Sequence, residues 1–379
     1  MDQILVNGRI FDGEEILEDK AVQIADSRIE GLINAEDGRG ERIDLDGQLL
    51  APGFVDVQVN GGGGVMFNNS TTPEGIATMV EGHRPYGSTT LIPTLISDDW
   101  SVMEQAADAM RTAIAADLPG VRGIHFEGPY LNKARKGVHS EEIIRPVDDR
   151  AIGLLTGGGM GIVVHTLAPE CVDPRYIRQL DEAGVRVCAG HTAGTFRDIE
   201  IALENGLAGF THLYNAMSPL TGREPGVVGA AMENDSGWCG IIADGFHVHD
   251  ASLIIAIKSK PRGKIMLVTD AMATVGAAEK SFTLYGQTIY AEGGKCATAD
   301  GTLAGSDLDM ATAVRNTIHR LGQPIEESLR MASLYPAQFL GLDDRIGRIK
   351  AGYDADLVLL DSDFAVQKTW IKGSGQNHH

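Results

Sequence analysis

The spacing of hydrophobic and polar positions changes character near residue 51. Before it, short apolar runs alternate with turn residues, as in ILVNGRIFDG, which predicts a strand, a turn at Asn7-Gly8 and a returning strand. AVQIADSRIEGLI and RIDLDGQLL repeat this texture, and RIGRIKAGYDADLVLLD returns to it near the other end. We therefore predict that residues 1–50 and 340–379 form one small β-sandwich domain.

Residues 51–339 alternate short β-rich runs with longer helical runs. The candidate strands, delimited with the help of the polar residues that end them, are GFVDVQVN, STTLIPTLI, GIHFEG, GIVVHTLA, VRVCAGHT, GFTHLYN, GIIADG and IMLVTDA. The helical runs include PEGIATMVEGHRPYG, SVMEQAADAMRTAIAAD, PRYIRQLDEAG and FRDIEIALENG. Eight strands alternating with helices predict an α/β protein with a TIM-like (β/α)8 barrel. On pattern alone, a doubly wound sheet remains the alternative.

The last third of the chain departs from this alternation. Residues 281–304 indicate a hairpin-like insertion, and two helical runs follow it, DLDMATAVRNTIHRLG and IEESLRMASLYPAQFLG. The terminal run GSGQNHH is predicted to be flexible, and we assign no metal-binding role to His378 or His379.

Composition narrows the functional classes. The formal net charge of −20 disfavours nucleic-acid binding, and an anionic substrate would need local basic residues. The four cysteines, at positions 171, 188, 239 and 296, form no C-x-x-C pair, which favours a reducing cytoplasm over a disulfide framework. No signal peptide or membrane-spanning run is evident.

Five ionisable residues share one kind of position. Each lies at or just after the C-terminal end of a candidate strand: Glu127, His191, His212, His247 and Asp270. In a barrel, these strand ends all face one mouth, where reacting groups converge. Taken singly, each residue has a structural alternative, such as a hydrogen-bonded histidine or a turn-capping carboxylate. Their joint recurrence favours a site.

Two histidines and a carboxylate are a standard catalytic zinc set that leaves a coordination position open for water. Glu127, His191 and His212 are the predicted ligands. The metal lowers the pKa of the bound water and polarises a substrate carbonyl. Asp270 is the candidate to take a proton from that water and return it to a leaving nitrogen.

A series of motifs resembles the amidohydrolase superfamily and, within it, the N-acetylglucosamine-6-phosphate deacetylase family. The motifs run in order from residue 51 to residue 306: APGFVDVQVNGGGG, GIHFEGPYLN followed by KGVH, AGHTAG, THLYNAMSPLTGREPG, DGFHVH, LVTDAM and LAGS. HFEGPY and THLYNAM together are specific, whereas PGFVD alone indicates only the superfamily. The resemblance covers nearly the whole chain.

The resemblance implies hydrolysis of N-acetyl-D-glucosamine 6-phosphate to D-glucosamine 6-phosphate and acetate in amino-sugar catabolism. It implies the same metal ligands, with Asp270 as the acid/base, His139 polarising the carbonyl, and a homodimer. The positions it assigns to substrate contacts are Val138, His139, Asn215, Ala216, Arg223, His247, Leu303, Ala304 and Gly305. Arg223 suits a phosphate clamp because its planar guanidinium holds two oxygens at once.

One departure predicts the number of metals. Many amidohydrolases carry H-x-H after the PGF-[VI]-D strand, where this chain has Gln58 and Asn60. Neutral amides are poorer ligands than imidazole, so we expect one divalent ion per subunit, with Gln58 and Asn60 beside it. Zinc is the first expectation; iron, manganese and cobalt suit the same ligands.

Two other functions remain open from the sequence. The first is another amidohydrolase reaction, such as opening a cyclic amide or cleaving an isoaspartyl dipeptide. Gln58 and Asn60 weigh against it, because those enzymes generally use two metals. The second is a non-catalytic barrel scaffold, which the retention of Glu127, His191, His212 and Asp270 disfavours.

Overall fold

Eight parallel strands form a nearly closed barrel. The computed structural model describes residues 2–299 and 301–378. In chain order, the barrel strands are Phe54–Val59, Ser88–Ile96, Gly123–Glu127, Ile162–Leu167, Arg186–Ala189, Gly209–Phe210, Trp238–Ile241 and Ile265–Leu267. Each pairs with its sequence neighbour, so spatial order follows chain order. All eight lie within the predicted runs or beside them, and the barrel prediction is confirmed.

The seam between the first and eighth strands lies at the mouth. A parallel bridge joins Val59 to Ala271, and the Asp270 N–H donates to the Gln58 carbonyl oxygen over 3.0 Å. The first two barrel strands are buried along their whole length, as expected for parallel strands covered on both faces. The seam therefore holds the backbones of Gln58 and Asp270 side by side.

Ten α-helices surround or follow the strands in the described residues. They are Pro73–His83, Trp100–Ala115, Arg150–Thr156, Pro174–Glu182, Phe196–Glu204, Gly226–Glu233, Asp250–Ser259, Met310–His319, Ile325–Ala332 and Leu334–Leu340. Capping residues mark the first turn of several of these helices. At the helix Phe196–Glu204, the Thr195 hydroxyl and the Asp198 carboxylate each accept a hydrogen bond from the other residue's backbone N–H, which forms a capping box. Within residues 2–299 and 301–378, no helix is both long enough and apolar enough to cross a bilayer.

The run IEESLRMASLYPAQFLG is not one helix, as its pattern predicted, but two. The backbone leaves helical geometry at Ser333, which has φ −132° and ψ −72°. Pro336 explains the break, because a proline lacks the N–H that an interior helical position needs and is tolerated in a first turn. A second helix therefore begins at Leu334, just before it.

Both ends of the described chain contribute to two sheets outside the barrel. The first sheet has four strands, all from the N-terminal part: Gln3–Val6, Ala21–Ala25, Arg28–Ile33 and Glu41–Asp44. The second sheet combines both ends of the chain and has six strands: Arg9–Phe11, Ile16–Leu17, Leu49–Pro52, Leu357–Leu360, Val366–Ile371 and Ser374–Asn377. An apolar cluster that includes Leu5, Leu50 and Trp370 draws residues from both.

The predicted flexibility of the terminal run is wrong for residues 374–378. Ser374–Asn377 is a strand that pairs with Val366–Ile371, and the His378 Nε2 atom hydrogen-bonds the Thr369 hydroxyl over 2.8 Å. Backbone pairing orders this run despite its polar composition. His379 lies outside the described residues.

The predicted insertion is a four-stranded antiparallel sheet. Its strands are Ser281–Leu284, Gln287–Glu292, Lys295–Thr298 and Leu303–Ser306. It packs through an apolar cluster that includes Leu284, Ile289 and Ala304 and that also takes in Ile96 and Met272 from the barrel mouth. The last strand of this sheet is joined to the seam, because the Ser306 N–H donates to the Asp270 carbonyl oxygen over 3.0 Å.

Ion pairs around two buried carboxylates connect the end of the barrel opposite the mouth to the sheets formed by the chain ends. Arg122, just before the third barrel strand, reaches Asp354 over 2.9 Å and Asp356 over 3.4 Å. Arg345 and Arg28 complete the shell of Asp354, whose side chain is only 6% exposed. Removing one member of such a cluster leaves the buried partners without compensation.

We predict that Asp354→Ala destabilises the fold. Loss of this carboxylate leaves Arg122 partly uncompensated, so the free energy of unfolding should fall by about 3 kcal/mol or more. Asp108→Ala is the control, because Asp108 pairs with Arg111 at the surface, where an ion pair contributes little. Denaturant unfolding of both variants checks the prediction. Equal stability of the two would contradict it.

Candidate metal centre and active site

Three side chains meet inside the barrel mouth. Glu127 ends the third strand, whereas His191 and His212 each lie two residues beyond a strand, the fifth and the sixth. The Glu127 Oε1 atom lies 3.2 Å from His191 Nε2 and 3.0 Å from His212 Nε2, and the two nitrogens are 3.0 Å apart. All three residues are buried. The sequence prediction brought these residues to one mouth, and the structure places their polar atoms in contact.

The chemistry of these atoms fits a divalent cation. His191 donates its Nδ1 proton to the Arg135 carbonyl oxygen over 2.9 Å, which leaves Nε2 as the ring atom that faces Glu127 and that can bind a cation. Burial alone would raise the pKa of Glu127, but the two imidazoles hold it well below its ordinary value. A single proton can satisfy one of the three contacts, whereas one divalent cation satisfies all of them.

Asp270 lies beside this cluster, held by two amides. Its Oδ1 atom accepts hydrogen bonds from Asn60 Nδ2 over 2.6 Å and from Gln58 Nε2 over 3.2 Å. The Gln58 amide also donates to Glu127 Oε1 over 3.2 Å. Burial and the nearby Glu127 charge raise the pKa of Asp270. The two amides thus occupy the places of the missing histidines and donate to the carboxylates.

Unusual backbone geometry is concentrated at this mouth. His191, His212 and Asp270 have φ values of 49°, 32° and 52°, and Tyr214 and Ala216 are also left-handed. Non-glycine residues in this region cost roughly 1–3 kcal/mol each and cluster at functional sites. Surrounding hydrogen bonds hold them: the Asn132 N–H donates to the His191 carbonyl oxygen over 2.9 Å. The local fold therefore directs these side chains into the barrel mouth, although this requires a strained backbone conformation.

His139 offers a second possible ligand set. One polar atom each from Glu127, His139 and His191 lie within 4.8 Å of one another. The His139 ring packs edge-on against His191, with centroids 4.4 Å apart, and its Nδ1 atom lies 2.7 Å from the Ser97 hydroxyl. Burial and the neighbouring His191 hold the pKa of His139 well below its usual range, which keeps its ring neutral.

His247 reaches the same mouth after the seventh strand. Its Nδ1 atom lies 2.6 Å from Asp244 Oδ2, and Asp244 also accepts the backbone N–H groups of Phe246 and His247. Burial works against the charged carboxylate, yet the hydrogen bond from His247 leaves the pKa of Asp244 lowered. Asp244 therefore fixes the orientation of the His247 ring.

A cavity of about 160 Å³ is enclosed by most of the predicted site residues. Its lining is Asn60, Ile96, Glu127, Gly137, Val138, His139, His191, His212, Asn215, Ala216, His247, Asp270, Met272, Leu303 and Gly305. Gln58 lies just behind the lining and acts through its hydrogen bonds to Glu127 and Asp270.

Two of the predicted substrate-contact residues do not line this cavity. Ala304 is buried in the apolar cluster beneath the inserted sheet, because alternate residues of a strand point to opposite faces and Leu303 and Gly305 take the cavity side. Arg223 lies exposed in the loop before the Gly226–Glu233 helix. Within the described residues, Arg223 is not part of the cavity lining.

Sequence reasoning missed two residues that hold cavity side chains. Ser97 immediately follows the second barrel strand, and Asp244 follows the seventh. The strand-end rule that found Glu127 applies to both positions. Asp244, in the run GIIADG, carries the same carboxylate as Asp270 and could be found in this way, whereas the Ser97 hydroxyl is not a typical metal ligand or proton carrier.

Comparison with known proteins gives one consistent result. The model of the Amidohydrolase family matches residues 49–374. The N-acetylgalactosamine-6-phosphate deacetylase of Shewanella sp. (strain ANA-3) is 41% identical over 374 residues, 96% of this chain and 95% of that relative. The N-acetylglucosamine-6-phosphate deacetylase of Haemophilus influenzae is 37% identical over 379 residues, 98% of this chain and 99% of that relative.

A solved structure is similar along the whole chain. The crystal structure of N-acetylglucosamine-6-phosphate deacetylase from Pasteurella multocida superposes with a TM-score of 0.96 at 36% identity, covering 100% of both chains. The barrel, the end sheets and the insertion therefore recur together in that protein.

We predict that the protein binds one equivalent of divalent metal and that Glu127→Gln largely abolishes binding. The amide lacks the charge that offsets the cation, so affinity should fall by more than the roughly 10–100-fold that loss of an outer partner costs. Glu182→Gln, at an exposed helix position, is the matched control. Elemental analysis after chelation and reloading with zinc measures both. Two equivalents in the wild type would contradict the one-metal assignment.

Proposed function

The chain belongs to the amidohydrolase family, and from this premise we infer that it hydrolyses the acetamide of N-acetyl-D-glucosamine 6-phosphate to D-glucosamine 6-phosphate and acetate. The observation that carries this inference is a buried carboxylate, Asp270, held beside the Glu127, His191 and His212 cluster. This reaction belongs to amino-sugar catabolism.

A divalent cation held by Glu127, His191 and His212 supplies Lewis acidity, which makes water acidic near neutral pH and polarises a carbonyl. Asp270 takes the proton of the attacking water. Its pKa, raised by burial, makes it a better base than an exposed carboxylate. Asp270 then returns the proton to the nitrogen as the C–N bond breaks, so the amine leaves neutral. Asn60 and Gln58 keep its Oδ1 atom in place throughout.

We assign the other cavity residues to the substrate. His139 and Val138 border the acetamide, Asn215 and Ala216 border the sugar, and Leu303 and Gly305 form the wall contributed by the inserted sheet. Side chains alternate between the two faces of that strand, which supports a substrate contact for Leu303 and Gly305. Ala304 packs in the apolar cluster behind this wall. His247 borders the sugar. An acidic chain needs a local cation to bind a phosphate, which supports Arg223 for that end.

The C4 epimer of this sugar phosphate, N-acetyl-D-galactosamine 6-phosphate, is a second candidate substrate. It differs from the glucosamine epimer only at C4, and the relative at 41% identity carries that name. The acetamide and the phosphate are common to both epimers, so the metal cluster and Asp270 serve either.

Four further assignments belong to the same proposal. Zinc is the expected ion, because it suits two imidazoles and a carboxylate. A homodimer is supported by the exposed apolar side chains of Leu220, Phe246 and Ile255. The four cysteines carry no disulfide, which supports a cytoplasmic location. Residues 1–50 with 340–379 form the small domain and residues 51–339 the catalytic barrel, a division supported by one apolar cluster that draws only on the two end segments.

We expect the zinc-loaded protein to release acetate from N-acetyl-D-glucosamine 6-phosphate and much more slowly from the unphosphorylated sugar. N-acetyl-D-galactosamine 6-phosphate, a cyclic amide and an isoaspartyl dipeptide complete the panel. A higher kcat/KM for the galactosamine epimer would reverse the order of the two candidates. Turnover of only the cyclic amide or dipeptide would refute the deacetylase assignment, and turnover of none would favour a scaffold.

Asp270→Asn should reduce kcat by at least about 10²–10⁴-fold, the range typical of lost acid–base catalysis, while the metal content stays at one equivalent. The amide cannot accept the proton but fills the same volume. Asp235→Asn, at an exposed position, should leave kcat unchanged. Wild-type turnover in the Asp270 variant would exclude it as the proton carrier.

A further inference from the structure

Ser97 presents two hydrogen-bond donors to one atom of His139. Its backbone N–H points at His139 Nδ1 over 3.3 Å, and its side-chain oxygen lies 2.7 Å from the same nitrogen. Both residues are 1% exposed, so water does not compete for these contacts. Ser97 has no place in the proposed reaction, and it lies outside the sequence motifs that carry the family resemblance.

This arrangement decides which nitrogen of His139 carries the proton. A backbone N–H can only donate, so His139 Nδ1 must present a lone pair to it. A proton on Nδ1 would face the Ser97 N–H directly, and the two hydrogens would repel each other. With a lone pair on Nδ1, the Ser97 hydroxyl donates to it over 2.7 Å, a shorter contact than the 3.5 Å to its alternative acceptor, the Glu127 carbonyl oxygen. The neutral ring therefore carries its proton on Nε2.

We propose that Ser97 is a positioning residue that fixes His139 as the Nε2–H tautomer, making it a hydrogen-bond donor to the substrate carbonyl and not a metal ligand. The carbonyl contact rests on the proposed deacetylase function; the tautomer does not. An Nε2–H group has no lone pair to give a cation. The proposal therefore selects Glu127, His191 and His212 over the overlapping set of Glu127, His139 and His191.

The surroundings of Ser97 hold it in place from two sides. The Tyr285 hydroxyl, at the turn of the inserted sheet, donates to the Ser97 carbonyl oxygen. A Cβ at Gly128, which has φ +86°, would lie 2.3 Å from the Ser97 Oγ atom, so glycine is required for the hydroxyl to fit. The inserted sheet and the loop after Glu127 thus converge on the residue that orients His139.

The tautomer can be measured without any substrate. In zinc-loaded protein labelled with ¹⁵N-histidine, long-range ¹H–¹⁵N correlation spectra distinguish the two neutral tautomers and a metal-bound nitrogen. His139→Gln identifies the signal by its disappearance. We expect the Nε2–H pattern. An Nδ1–H pattern, or a zinc-bound nitrogen on His139, would overturn the proposal whatever the enzyme's substrate proves to be.

Metal content gives a second readout. Because His139 is assigned as a donor, His139→Gln should keep one equivalent of zinc, whereas Glu127→Gln should lose it. Circular dichroism confirms that both variants are folded. Loss of zinc from folded His139→Gln would show that His139 is a ligand.

Kinetics test Ser97 itself. Ser97→Ala removes one of the two donors, and losing one hydrogen bond should lower kcat about five- to tenfold, with KM and zinc content unchanged. Ser88→Ala is the matched control, because it removes a buried hydroxyl from the opposite end of the same strand, where the Ser88 Oγ atom has no partner in the described residues. An unchanged kcat in Ser97→Ala, or an equal loss in Ser88→Ala, would refute the positioning role.

Discussion

The close approach of three buried polar atoms is the constraint around which this barrel mouth is organised. Glu127 and the Nε2 atoms of His191 and His212 lie within 3.2 Å of one another. Such an arrangement is stabilised by positive charge, from a proton or a divalent cation, and it requires surrounding backbone that prevents the rings from turning away. The left-handed backbone at His191 and His212 and the Arg135 carbonyl oxygen serve this second purpose. The backbone strain at the strand ends is thus a consequence of holding the three predicted ligands close together.

The amides of Gln58 and Asn60 give this mouth a chemical character different from that of a two-metal site. In a two-metal site, a second cation would stabilise the Asp270 carboxylate and weaken it as a base. Here neutral N–H groups hold the same oxygen, and burial raises its pKa. The carboxylate is oriented as firmly but remains ready to accept a proton. We therefore expect a one-metal site and a basic aspartate to be two results of the same two residues, Gln58 and Asn60.

The sequence predicted those features that depend on local pattern and missed those that depend on through-space contact. The eight barrel strands follow from apolar runs ended by polar residues, and Glu127, His191, His212 and Asp270 follow from their places at those ends. The break at Ser333 was missed because helical periodicity continues through it, although Pro336 was visible. The strand at Ser374–Asn377 was missed because its order comes from a neighbouring strand and not from its own polar residues. The exposure of Arg223 depends on the path of a loop, which periodicity does not describe.

The pairing of Leu49–Pro52 with Leu357–Leu360 has a consequence for synthesis. A ribosome that adds 5–20 residues per second needs roughly 15–60 s to make the intervening stretch of about 300 residues. Throughout that time the first of these strands lacks a hydrogen-bonding neighbour on one side, while the barrel strands between them emerge in the order in which they pair. The nascent chain can therefore assemble its catalytic barrel progressively, but it carries an open sheet edge until translation passes residue 360. Chaperone binding during synthesis is expected to concentrate on that edge.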